Sequence, residues 1–261
     1  MIEVDQTTGR LNLHEHNPDE CLILYGSYAR GDFNAASDVD ILRVANERAF
    51  REARDESVTL HTYALDDLLE LARHGSLFVL HILQEGTPLN DPAGVMRLLA
   101  STFRRPDSYT ENTRQRLRHA LRLLDVERAV FESAPHEFTA TASFVCRSLL
   151  YAEHAERGAF SFSLRTLAKE DETASLLLAT KQTATTFEHF RRLRQVVRAS
   201  YKERSQGPLC SSLSELAGMS DGDKVFEGLL RRILGRVGAD PYDTVSSFSA
   251  ELPRATRGLA P

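Results

Sequence analysis

Residues 21–44 read C-L-I-L-Y-G-S-Y-A-R-G-D-F-N-A-A-S-D-V-D-I-L-R-V, and their pattern decides how the first third of the chain folds. The apolar run Leu22–Tyr25 has the length of a buried strand and stops at Gly26, which permits a tight turn. Ser27-Tyr28-Ala29-Arg30 then opens a short helix. The amide groups of the turn and the Ser27 hydroxyl thereby stand at a helix N-terminus, where phosphate oxygens are favoured by hydrogen bonds and by the dipole. Val39, Ile41, Leu42 and Val44 form a second strand. Its alternation directs Asp38 and Asp40 to one face, about 7 Å apart along the chain. Two like charges so placed repel unless a cation lies between them. Hard oxygen ligands of this kind suit Mg²⁺, which keeps several waters and completes its shell from substrate phosphates. The alternative is equally common in sequences: Ser37-Asp38 as a plain turn, with Asp40 facing solvent on an edge strand.

The order G-S-Y-A-R-G, five intervening residues, then S-D-V-D resembles the signature of the DNA polymerase beta-like nucleotidyltransferase superfamily, nearest its minimal and antibiotic nucleotidyltransferase branch. The resemblance implies that Gly26 and Ser27, with Ser37 beside them, hold the triphosphate of ATP or another nucleoside triphosphate. It further implies that Asp38 and Asp40 bind Mg²⁺ while a substrate hydroxyl displaces pyrophosphate. Arg30 matches a frequent basic position of this branch and supports the phosphates or the loop; a salt bridge is the competing role. Members of the family place a third carboxylate on a nearby strand. Here that strand is Ser57–Tyr63, which contains no acid, and His61 aligns with the missing position. An imidazole could serve as general base or ligand there, or simply as a half-buried strand residue.

Asp66 and Asp67 follow as expected caps of a helix. Helical spacings then run from Leu68 to Gly86, interrupted at Gly75, and Thr87–Asp91 resembles the closing edge strand of the same family. His81 and Glu85 fall on one helical face. The expected fold is therefore α+β: a small mixed β-sheet nucleotidyltransferase domain over residues 1–91 with helices on one face, followed by an all-α helical bundle over 92–242 and a partly flexible tail over 243–261.

In the helical half, Asp91-Pro92 starts a run of helices expected near Pro92–Phe103, Ser108–Ser133, Glu137–Arg157, Ser163–Thr180, Thr183–Tyr201 and Gly222–Val237. Arg191, Arg192, Arg194, Arg198, Lys202 and Arg204 crowd one of them, either as a positive wall or as a solvated face. Arg147 and His154 lie two turns apart on another. Leu149-Leu150-Tyr151 followed by Gly158-Ala159-Phe160-Ser161 resembles the substrate-side helices of antibiotic nucleotidyltransferases, and the resemblance implies Glu153, Glu156 and Asp171 as candidates for binding a cationic acceptor.

Across the 261 residues the net charge is −5, too small to name a partner. The three cysteines are widely spaced, which suggests neither disulfides nor a zinc site and fits a reducing cytoplasm. No apolar run approaches the roughly 20 residues needed to span a bilayer. The expected activity is transfer of a nucleoside monophosphate, AMP foremost, to a hydroxyl on a small molecule, a protein or a tRNA; homo-oligomerisation is left open. The alternative is a catalytically weakened or inactive nucleotide-binding, antitoxin-like regulatory protein.

Overall fold

The computed structural model describes residues 2–5, 10–13, 19–34, 37–45, 51–55, 58–180, 185–201, 208–219 and 222–235. The expected tail from 243, together with Lys202 and Arg204, lies outside them.

Among these residues the strands are β1 (Ile2–Asp5), β2 (Arg10–Leu13), β3 (Cys21–Tyr25), β4 (Val39–Ala45), β5 (Arg51–Asp55), β6 (Val58–Ala64) and β7 (Thr87–Asn90). β1 and β2 pair antiparallel as a separate ribbon that the polar N-terminal sequence does not announce. The other five form one mixed sheet in the order β5-β6-β4-β3-β7, with β4 and β6 parallel and the remaining pairs antiparallel. β7 closes the sheet as an edge strand, where Pro88 costs least because one side of the strand needs no partner.

The helices are α1 (Gly26–Arg30), α2 (Leu65–Arg73), α3 (Leu77–Glu85), α4 (Val95–Thr102), α5 (Tyr109–Leu117), α6 (Arg128–Ser133), α7 (Pro135–Glu156), α8 (Leu164–Leu167), α9 (Glu172–Thr180), α10 (Phe187–Tyr201), α11 (Leu213–Gly218) and α12 (Lys224–Ile233). α2 carries Asp66 and Asp67 in its first turn with Ala64 at the cap position, so both aspartates complement the helix dipole rather than cap. Asp91 does cap: its Oδ1 accepts from Val95 N at 2.6 Å and its Oδ2 from Met96 N at 3.1 Å.

The helix expected over Ser108–Ser133 is broken. α5 ends at Leu117, a 3₁₀ segment spans His119–Leu124, and α6 restarts at Arg128. Residues 125–127 form instead an isolated parallel bridge with Cys210: Cys210 N donates to Asp125 O at 2.7 Å and Glu127 N to Cys210 O at 3.0 Å. Backbone groups used across the fold in this way cannot also close helical hydrogen bonds. Leu117, Leu121, Leu124 and Val130 are nevertheless all buried, because the local apolar spacing survives the change of backbone.

Alternate β3 and β4 residues Ile23, Tyr25, Leu42 and Val44 join Tyr63 and helical residues from Leu68 to Ile233 in one contiguous core. The opposite face, Leu22, Leu24, Val39 and Ile41, is covered by Tyr28 of α1, whose ring stacks on Phe33 at 4.2 Å between centroids. The main core passes across residue 91, so the change there from mixed to helical sequence is not a break in packing.

Candidate functional site

The end of β3 and the start of β4 meet. Tyr25 is the antiparallel partner of Asp40, and Asp40 is in turn the parallel partner of Thr59 on β6. In-register partners share a face, so Tyr25, Asp40 and Thr59 stand in one row on the side of the sheet that carries the main core.

At Gly26 the chain leaves β3 with φ +75° and enters α1. A Cβ on this residue would lie 2.6 Å from Asp40 Oδ2. Only glycine allows both the left-handed turn and this approach of bare backbone to a carboxylate. Ser27 follows in the first turn, half-buried, and α1 closes at Gly31. Asp38 is exposed at the mouth of the same unit, and Asp40 is half-buried. Glycine turn, serine and both aspartates are thus at one end of the sheet. Ser37 is part of the loop between: its Oγ accepts from Asn34 N at 2.9 Å and donates to Asn34 Oδ1 at 3.2 Å. It shapes the approach to Asp38.

The in-register partner of His61 on β4 is Leu42, two residues beyond Asp40, and the residue is 2% exposed. Its Nδ1 lies 2.6 Å from the Tyr25 hydroxyl in a buried hydrogen bond. Thr59, not His61, occupies the strand position beside Asp40. The two-residue offset is invisible in sequence because register is set by pairing across the sheet.

Arg30 extends away from the turn. Nη1 donates to Glu85 Oε2 at 2.6 Å and Nε to Asp32 Oδ1 at 3.2 Å. Of the two roles read from sequence, the geometry favours support of the loop by a salt bridge. The same two residues bind the segment after α7: Phe162 N donates to Glu85 Oε1 at 2.9 Å, Ser163 Oγ to Asp32 Oδ2 at 2.5 Å, and Arg165 Nη1 to the backbone carbonyl of Asp32 at 2.9 Å. His81 completes the cluster, with Nε2 3.0 Å from Glu85 Oε2 and its ring stacked on Phe162 at 4.4 Å.

Burial alone would push the Glu85 carboxyl up, but His81, the Phe162 amide and Arg30 outweigh it and hold the group at about 2. Burial drives the His81 imidazole below its ordinary range, reinforced by Arg30 and Arg147 against Glu85. We therefore take His81 as neutral and Glu85 as ionised near pH 7. The segment after α7 is in this way clamped to the end of α1 through a charged cluster of which sequence reasoning isolated only the His81/Glu85 spacing and Arg30. Asp32 and Ser163 carry no local signal.

Other sequence candidates have structural roles. Glu156 Oε2 accepts from Tyr109 N at 2.6 Å at the start of α5. Asp171 Oδ1 accepts from Ala174 N at 3.0 Å, and its Oδ2 pairs with His154 at 3.3 Å. Within the arginine cluster of α10, Arg194 and Arg198 are buried rather than part of an outer wall, and Arg198 is held by Asp125. Arg191 pairs with Glu188 at 2.9 Å.

A glycine-serine turn packed against the second aspartate of a D-x-D strand thus stands at one end of a small mixed sheet. Residues 10–78 match the family model described as "Nucleotidyltransferase domain". The matched region runs from β2 to the first turn of α3, so the likeness holds the turn and both aspartates and leaves the helical half outside. No curated protein matches the chain. Among the described residues no helix is long and apolar enough to cross a membrane.

Proposed function

We propose that the chain transfers a nucleoside monophosphate, AMP foremost, from a nucleoside triphosphate to an acceptor hydroxyl. The observation that carries this reading is the contact of Gly26 with Asp40: the phosphate-holding turn and a metal-ligating carboxylate adjoin, as transfer at an α-phosphate requires. Gly26 and Ser27 hold the triphosphate. Asp38 and Asp40 hold Mg²⁺.

The donor set fits that ion. Both ligands are hard carboxylates; Asp38 is exposed, Asp40 is half-buried, and the bare Gly26 backbone stands directly against the Asp40 carboxylate. Among the described residues no group of three or more His, Cys, Asp or Glu could enclose a metal without help. Two carboxylates plus phosphate oxygens and water is the usual way Mg²⁺ is bound in phosphoryl transfer. Bound there, it neutralises charge that develops on the phosphates. The turn amides and Ser27 orient the triphosphate, and Arg30 with Asp32 and Glu85 holds the turn against the helical half. The acceptor hydroxyl forms its bond to the α-phosphorus and gives up its proton to the Asp40 carboxylate or to solvent, while the bond from the α-phosphorus to the bridging oxygen breaks and pyrophosphate leaves. Enclosed behind Tyr25, His61 positions that tyrosine and the Asp40 row. The acceptor is a small molecule, a protein or a tRNA, and the three buried free cysteines favour a reducing cytoplasm.

Incubation with α-labelled ATP, GTP, CTP or UTP, Mg²⁺ and cell extract should label an acceptor. Asp38→Asn with Asp40→Asn should reduce labelling at least a hundredfold; undiminished labelling would place the chemistry elsewhere. A second reading, a nucleotide-binding regulator without turnover, draws on Thr59 standing beside Asp40 where an acid would complete the site. Nucleotide binding without any labelled acceptor would favour it.

A further inference from the structure

The helical half contains a cavity of about 290 Å³ between α7, α8, α9 and α12, apart from the Asp38/Asp40 end of the sheet. Its polar lining includes His136, Thr139, Ser143, Arg147, Thr180 and Arg232, with Phe144, Leu164 and Leu177 as apolar walls. Two guanidinium groups and several hydroxyls converge there, and none of the lining residues is acidic. Among the described residues no carboxylate pairs with Arg232. Thr139 is 5% exposed, and its Oγ1 has no hydrogen-bond partner. A buried hydroxyl left unpaired costs on the order of 1–3 kcal/mol, so the fold carries a donor that a ligand could satisfy.

We infer that this cavity is a binding site for a small phosphorylated anion, distinct from the triphosphate site. The donor count selects phosphate over carboxylate. One bidentate arginine largely satisfies a carboxylate, whereas a phosphate offers more acceptor oxygens and uses additional donors. The volume suits a compact phosphate ester and is small for a folded peptide or a nucleic-acid strand. Thr180 and His136 already hold internal partners, Leu176 O at 2.8 Å and Thr185 Oγ1 at 3.1 Å, and so frame the cavity. Arg232, Thr139 and Ser143 supply contacts, with Arg147 adding positive charge. Leu164 in the wall directly follows Ser163, which is bonded to Asp32 just after α1. Occupancy should therefore be felt there.

The test is calorimetric titration of the full chain with inorganic phosphate, with malonate as the carboxylate comparison. Phosphate should bind and malonate at least tenfold more weakly. Arg232→Gln and Thr139→Val should each weaken phosphate at least tenfold, and Thr139→Val should leave the melting temperature unchanged or higher because it removes only an unpaired hydroxyl. Ser27→Ala with Asp38→Asn, disabled at the nucleotide end, should bind phosphate as the parent does. Loss of binding in that double variant with retention in Arg232→Gln would assign the phosphate to the nucleotide turn and overturn the inference. Absence of phosphate binding at millimolar concentration, or malonate binding as tightly, would overturn it equally. Since the readout is binding, it is independent of whether the chain transfers nucleotides.

Discussion

Glu85→Gln is the most informative single change because Glu85 joins the end of α1 to the segment after α7. Its side chain is 9% exposed and meets Arg30 at 2.6 Å, His81 at 3.0 Å and the Phe162 amide at 2.9 Å. The carboxyl is held at about 2 against an ordinary 4.5. At about 1.4 kcal/mol per unit, this difference amounts to at most about 3 kcal/mol of folding stability at neutral pH, because His81, neutral there, contributes its hydrogen bond but not a charge. A depressed acid contributes fully above its unfolded value, near 4.5, and loses the contribution as pH falls toward about 2. By pH 3 about half should remain. Glutamine keeps an acceptor for Phe162 but no charge for Arg30. Urea unfolding of the parent and variant should show a gap of at most about 3 kcal/mol at pH 7, unchanged to pH 5, then closing by about half at pH 3. ATP affinity should fall in parallel as Arg30 loses its anchor. A gap below about 0.5 kcal/mol at pH 7, or one independent of pH between 5 and 3, would refute the clamp.

Gly26→Ala should cost about 1–2 kcal/mol from its left-handed backbone alone, and its Cβ would also press on Asp40 Oδ2; ATP binding measured by fluorescence anisotropy should drop at least tenfold, and full affinity would show that the turn does not adjoin the metal ligands. Tyr25→Phe removes the 2.6 Å bond to His61 and should lower stability by about 1–2 kcal/mol, seen in thermal melts. His61→Gln should leave the pH profile of label transfer in shape, since His61 is enclosed; disappearance of a limb near pH 6 to 7 would make it the base. Burial, helped by Asp91, pushes the Cys21 thiol up to about 12, and burial with Asp171 and Glu153 does the same to Cys146. Cys210 is raised as well, chiefly by burial. An aromatic disulfide reagent at pH 8 should therefore titrate none of the three in the native protein and all three in guanidinium, and rapid native labelling would contradict the burial.

Sequence alone carried the strand-turn-helix-strand unit of residues 21–44, the glycine at its turn and the D-x-D pair, because each depends on local backbone preferences and period-two alternation. It also supplied most helices after residue 91, whose apolar spacing is local. Tertiary structure decided what depends on partners distant in the chain. Register across β4 and β6 put Thr59 rather than His61 beside Asp40. Pairing of residues 125–127 with Cys210 broke a helix that its own periodicity would have continued. Arg194 and Arg198 went inside although arginine-rich faces usually meet water. Ser163 and Glu85 met Asp32 and Arg30 only because α3 and the segment after α7 pack on α1. Hydrogen bonds and charges at such separations leave no period in the sequence, which is why the glycine turn and the D-x-D strand were legible from residues 21–44 and the clamp on α1 was not.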